Sequence, residues 1–155
     1  MAIWHRNYSL EEVNLRGKGC MVEHLGIDIL EMGESHILGR MPVDSRTKQP
    51  IGLLHGGASV VLAETLASTA GNLCVNPATH YCVGLEINAN HISSARDGFV
   101  LGKTFPLHLG RTTQVWQTEI RQAGPDGPSE NAGENAGKDR LICVSRMTLA
   151  VLARK

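Results

Sequence analysis

The chain has 155 residues, of which 42% are apolar and 19% charged, which fits one domain with its own hydrophobic core and excludes a disordered chain. Lysine plus arginine and aspartate plus glutamate come to 15 each. With no basic excess, a general grip on nucleic acid or an anionic membrane is disfavoured, and only a local basic pocket is left open.

At the N-terminus, MAIWHRNYSLEEVN holds no apolar run of signal-peptide length. Ser9-Leu10-Glu11-Glu12 is a capping-box pattern with Ser9 as N-cap and Glu12 as its partner. It predicts a short helix over 9–17, stopped by Gly17 and Gly19. His24 to Glu31 reads as a strand, Gly33-Glu34 as a turn, and Ser35 to Met41 as a second strand ended at Pro42. Val43 to Pro50 is polar and irregular.

A long helix follows from Gly57 to Cys74 or Val75, closed by Asn76-Pro77. Leu53 to Val75 is the most apolar segment, but His55, Glu64 and several glycines interrupt it, so it does not read as a membrane span. Four strands are expected after it: Tyr81 to Ile92, Phe99 to His108, Thr113 to Arg121 and Leu141 to Leu152, with proline only at boundaries. Residues 123–139 carry ENAG twice and no large apolar residue. They read as a flexible hairpin tip, a functional lid being the alternative. Helix, two strands, long helix and four strands make an α+β pattern, an antiparallel sheet with one main helix against a face.

Cys20, Cys74, Cys82 and Cys143 form no CxxC pair, and with no export signal they predict reduced thiols in a cytoplasmic protein. Cys82 and Cys143 lie in apolar runs, as small core residues do. The seven histidines, His5, His24, His36, His55, His80, His91 and His108, show no HxH or HExxH grouping, so no metal site is expected.

Glu64 is the sole charged residue between Gly57 and Val75. At about 100° per residue, Leu62, Ala63, Leu66, Ala67, Ala70, Leu73 and Cys74 share one apolar arc, the face for the sheet. Glu64, Thr65, Ser68, Thr69 and Asn72 form the other side, where a solvated face would carry lysines and arginines. Small hydroxyl residues there point to a partner or ligand that covers them, a lone surface glutamate being the plainer alternative. Gly56 and Gly57 leave backbone N–H groups at the positive end of the helix dipole, fit to polarise a carbonyl as it becomes an oxyanion. The alternative is that they merely permit a tight loop. No GxxxxGK[ST] and no GxSxG occurs, so neither a P-loop nor a serine nucleophile elbow is present. Gln49, His55 and Ser68, the last at i+4 from Glu64, are the polar helpers nearby.

MPVDSRTKQPIGLLHGGASVVLAETLAS, VGLEINANHISSAR and PLHLGRTTQVWQTEI together closely resemble the hotdog-fold acyl-CoA thioesterases, in particular those of the 4-hydroxybenzoyl-CoA type that act on aromatic acyl groups. The resemblance spans Trp4 to Leu152 and departs between Gln122 and Arg140, where this chain is longer. It implies a curved antiparallel sheet wrapped around one central helix, and homo-oligomers with a dimer as minimal active unit, assembled as tetramers. The implied activity is hydrolysis of an acyl-CoA whose acyl group is aromatic, such as 1,4-dihydroxy-2-naphthoyl, with CoA entering as part of the substrate and no separate cofactor. By resemblance, Glu64 is the catalytic carboxylate, nucleophile or base for water, and Gly56 the backbone donor to the thioester oxygen. Gln49 and His55 match residues that position the thioester, and Ser68 one that helps hold the water. His91, Ser93, Ser94 and Arg96 fall where the family binds the CoA nucleotide, although a solvated strand-end arginine also accounts for Arg96.

The chemistry is consistent with one carboxylate and one oxyanion donor, because a thiolate leaves without a strong acid. Gly56 and Glu64 are eight positions apart, about 12 Å along one helix, whereas a thioester carbon needs both within about 3 Å. The two groups of one site are therefore expected from different chains of a two-fold dimer. Two other readings are weighed. A hotdog hydratase or dehydratase needs a different histidine and acid arrangement. A non-catalytic acyl-CoA-binding regulator would lack the carboxylate.

Overall fold

The structure, a computed structural model, describes residues 1–123 and 140–155. The hairpin-tip reading, Ala123 apart, lies outside the described residues. Ser9 caps α1 (Leu10–Leu15), its Oγ accepting from the Glu12 N–H at 3.1 Å. The reciprocal half of the expected capping box is replaced: the Glu12 carboxylate is held by the Arg6 guanidinium and lies 3.6 Å from that of Arg16. Two fixed positive charges outcompete a neutral backbone donor.

The strand expected over His24 to Glu31 is corrected. Met21–His24 form a four-residue helix, α2, and Gly26 at φ +68° is the left-handed residue that ends it. β1 starts only at Asp28 and runs Asp28–Met32. The remaining elements are β2 (Ile37–Pro42), α3 (Gly56–Leu73), β3 (His80–His91), β4 (Phe99–Leu109), β5 (Thr113–Gln122) and β6 (Arg140–Ala153), each within two residues of its expected ends. Pro106 overturns the expectation that proline stays at strand boundaries. It lies inside β4 beside the register shift between Pro106 and His108, and a bulge is where a sheet accommodates proline.

The strands form one antiparallel six-stranded sheet in the order β1-β2-β4-β5-β6-β3, and α3 lies across one face. Leu62, Leu66, Ala67, Ala70 and Leu73 of the helix are fully buried against a sheet face that includes Trp116, Ile120, Met147 and Leu149. Cys74, expected on that arc, is the C-cap and only half-buried. The helix approaches closely because Gly39 and Gly102 face each other across β2 and β4. A Cβ on either would stand 2.6 or 2.7 Å from a Leu66 methyl, so the pair forms the hollow that Leu66 fills. Deeper along α3, the buried Gln114 side chain accepts from Trp116 Nε1–H at 2.9 Å and donates to the Gly71 carbonyl at 3.5 Å.

Both edge strands are gripped by an asparagine. Asn14 of α1 donates to the Ile29 carbonyl at 2.9 Å and accepts from its N–H at 2.8 Å. Asn72 of α3 does the same to Cys82 of β3, at 3.1 and 2.9 Å. Among the described residues, no helix is long and apolar enough to cross a membrane.

Candidate active site

The segment before α3 is fixed by its backbone. Thr47 is buried, its hydroxyl donating to the Pro42 carbonyl at 2.7 Å, and its own carbonyl accepts from His55 N–H at 2.8 Å. Leu54 N–H donates to the Ala95 carbonyl at 2.8 Å, which ties the helix start to the segment after β3. Between these anchors Gln49 N–H donates to the Leu53 carbonyl at 2.8 Å, closing a turn around Gly52 at φ +79°.

The helix therefore begins at Gly56, one residue earlier than its sequence predicts. His55 is the N-cap, its Nδ1 accepting from Gly57 N–H at 2.8 Å. In the neutral ring that leaves the proton on Nε2, pointing a donor away from the helix. The same bond takes up the Gly57 N–H. No described residue accepts from the Gly56 N–H, which stays at the positive end of α3. His91, the last residue of β3, packs on this point: its Nε2 is 2.8 Å from where a Cβ on Gly56 would be.

Gln49, Gly56, His91, Ser93 and Ser94 line one cavity of about 300 Å³, with Ser59 as a further buried hydroxyl that the sequence did not single out. The other expected residues lie elsewhere. Arg96 is exposed, does not line the cavity and pairs with no carboxylate among the described residues. Ser93 donates its hydroxyl to the Leu141 carbonyl at 2.8 Å, so only its oxygen is left to take part. The Ser94 carbonyl accepts from Arg140.

Glu64 and Ser68, two and three turns into α3, do not line that cavity. The Glu64 side chain is exposed and makes no hydrogen bond or ion pair with any described residue. Its Oε1 lies 3.3 Å from where a Cβ on Gly84 would be, beside the bulge between Gly84 and Glu86 in β3. Ser68 is half-buried, with Oγ 3.8 Å from Met147 Sδ. No local pattern marks Met147, since a methionine in an apolar strand reads as core.

Burial pushes the Cys74 thiol up to about 12 and the Cys82 thiol up to about 11. Neither is a thiolate at neutral pH, so neither offers a nucleophile there. Among the described residues, no three His, Cys, Asp or Glu side chains converge as metal ligands.

A curved antiparallel sheet against one long helix, with a cavity of mixed apolar and polar lining at that helix's N-terminus, is the arrangement of the hotdog thioesterases. Residues 51–128 match the Thioesterase superfamily, and the chain belongs to it. Over 97% of this chain and 99% of the other, it is 51% identical to the 1,4-dihydroxy-2-naphthoyl-CoA hydrolase of Escherichia coli. It is 42% identical to the proofreading thioesterase EntH of Cronobacter turicensis over 97% of this chain and 98% of that one. The crystal structure of thioesterase HI1161 from Haemophilus influenzae superposes with a TM-score of 0.86 at 44% identity, covering 97% of this chain and 95% of that chain. The protein is thus a thioester hydrolase, and the regulator and hydratase readings fall away.

Proposed function

We propose that the enzyme hydrolyses an acyl-CoA with an aromatic acyl group, 1,4-dihydroxy-2-naphthoyl-CoA being the first candidate, at a site shared by two subunits. The observation that carries this reading is the separation inside one chain. Gly56 opens the cavity, and Glu64, about 12 Å further along the same helix, does not line it. A two-fold dimer brings Gly56 of one subunit to Glu64 of the other, with their helices antiparallel. The open edge of β3 supports such pairing: it is twelve residues long, with Val83 and Leu85 exposed. A tetramer would be two of these dimers. The aromatic acyl group is supported by the name of the hydrolase that is 51% identical.

In this reading the Gly56 N–H, together with the α3 dipole, stabilises the oxyanion. Glu64 attacks the thioester carbon or takes a proton from the attacking water, and CoA leaves as thiolate. Gln49 and the His55 Nε2–H orient the thioester, and Ser68 helps to hold the water. His91, Ser94 and Arg96 supply donors to the CoA nucleotide. Ser93, whose hydrogen is spent on Leu141, contributes its oxygen alone. CoA arrives as part of the substrate, without a further cofactor, in the reducing cytoplasm that four free thiols suit.

The test is thiol release followed colorimetrically across a panel of acyl-CoAs. Aryl thioesters are expected to show kcat/KM at least about tenfold above straight-chain thioesters of similar size, a difference of about 1.4 kcal/mol in transition-state binding. A preference for straight chains removes the aromatic assignment.

A further inference from the structure

We propose that Met147 is a positioning residue for hydrolysis, its thioether sulfur accepting the Ser68 hydroxyl hydrogen so that the Ser68 oxygen keeps its lone pairs for the attacking water. The inference rests on the proposed role of Ser68 as a holder of that water.

Two independent contacts tie Met147 to the site. Its Sδ is 3.8 Å from Ser68 Oγ, within reach of an O–H···S bond. Its Cε lies 2.9 Å from where a Cβ on Gly84 would be, and Glu64 Oε1 lies 3.3 Å from that same point. The Met147 methyl and the Glu64 carboxylate therefore border one hollow beside the β3 bulge, and the buried Met147 side chain, at 2% exposure, links that hollow to Ser68 through its sulfur.

The sulfur matters because of what a helical serine does without it. A serine inside a helix turns its hydroxyl back onto the carbonyl at i−4, which here is the carbonyl of Glu64 itself. In that rotamer the oxygen is drawn toward the helix backbone. Met147 offers an acceptor on the sheet side instead, which aims the hydrogen inward and leaves the oxygen facing out. The water then gives one hydrogen to Glu64 as it attacks and keeps the other on Ser68. A leucine at 147 would fill almost the same volume and could not accept.

The test is a double-mutant cycle on kcat with an aryl-CoA. Met147→Leu conserves volume, so the fold is expected to hold, checked by Tm. Loss of one weak neutral hydrogen bond is expected to lower kcat about threefold with KM unchanged. In a Ser68→Ala background the same change is expected to have no further effect on kcat. A packing role alone would lower kcat by the same factor in both backgrounds, and that outcome overturns the inference while leaving the role of Ser68 in place. Full kcat in Ser68→Ala alone removes Ser68 from the site and overturns the inference with it. Uniform replacement of methionine gives a second readout that does not depend on the leucine variant folding. Selenomethionine keeps the acceptor and should keep kcat, whereas norleucine keeps the unbranched shape without it and should reproduce the loss. Equal kcat in those two proteins also overturns the inference.

Discussion

β1 and β3 are the two edges of the sheet, and an asparagine side chain grips the backbone of each, yet the edges are left in opposite states. β1 has five residues and lies beside α1, from which Asn14 takes both polar groups of Ile29. β3 has twelve residues, and Asn72 takes only those of Cys82, near its start. Beyond that clip, Val83 and Leu85 are 39% and 62% exposed. An open edge with exposed aliphatic side chains is a template for another chain, and proteins that do not use one blunt it with charge, proline or a covering helix. The β1 edge is covered in this way. The difference teaches that the same asparagine clip can close an edge or merely mark where a usable edge begins.

The largest expected effect tests whether the β3 edge joins two half-sites. Glu64→Gln should fold normally and lose about 10²–10⁴ in kcat, the scale of a lost acid–base group. A Gln49→Ala/His55→Ala chain should be inactive as well. Co-refolding the two inactive chains should restore turnover, because a mixed dimer holds one wholly wild-type site. Mixed dimers that form and stay dead would show that each chain uses its own residues.

The next effect breaks the open edge itself. Leu85→Asp should weaken self-association by about tenfold or more, the scale of a charge placed at an apolar contact. Sedimentation equilibrium would then show monomer at concentrations where the parent is a dimer, and specific activity should rise with protein concentration. An unchanged association constant would assign the interface to another surface.

The two clips can be compared directly. Asn14→Ala and Asn72→Ala should each cost about 1–3 kcal/mol, since each strands a backbone N–H and C=O. Denaturant midpoints measure this. Only Asn72→Ala should also lower kcat, because it loosens α3 where Ser68 and Glu64 project. Equal activity in the two variants would mean that the clips differ in place alone.

The smallest effect concerns the CoA end. Arg96→Ala should raise KM for a CoA thioester a few-fold, about 1 kcal/mol for one exposed charge contact, and leave kcat unchanged. A short pantetheine thioester should not register the change. Equal losses on both substrates would take Arg96 out of the CoA site.

Much of this arrangement was legible in the sequence because it is written locally. The spacing of Leu62, Leu66, Ala70 and Leu73 set the buried face of α3, and the later strands carried their ends in glycine, asparagine and charge. What could not be read depended on partners distant in the chain. Glu12 met two arginines in place of the Ser9 backbone. Gly26 ended a helix too short to show a period, and Pro106 needed a bulge that only pairing with β5 creates. In the site, Gln49 and Gly56 reach His91 and Ser94 through the Leu54–Ala95 hydrogen bond. Only the resemblance to a family could name those residues together. Met147 comes under Ser68 through the register of β3 on β6, a pairing that no local pattern encodes.

That pairing also sets an order of events on the ribosome. Among the described residues β3 has β6 as its one neighbour in the sheet, and β6 is the last of the six strands in chain order. Until β6 is synthesised, β3 lacks its partner in the sheet, so its outer edge is not yet the flank of a finished sheet. If subunits pair as proposed, chains emerging side by side from one messenger RNA would not do so through native β3 edges before each has synthesised its β6. In the proposed dimer, folding of the subunit would therefore precede its assembly, and a chain truncated before β6 would lack the finished β3 edge through which it is proposed to pair.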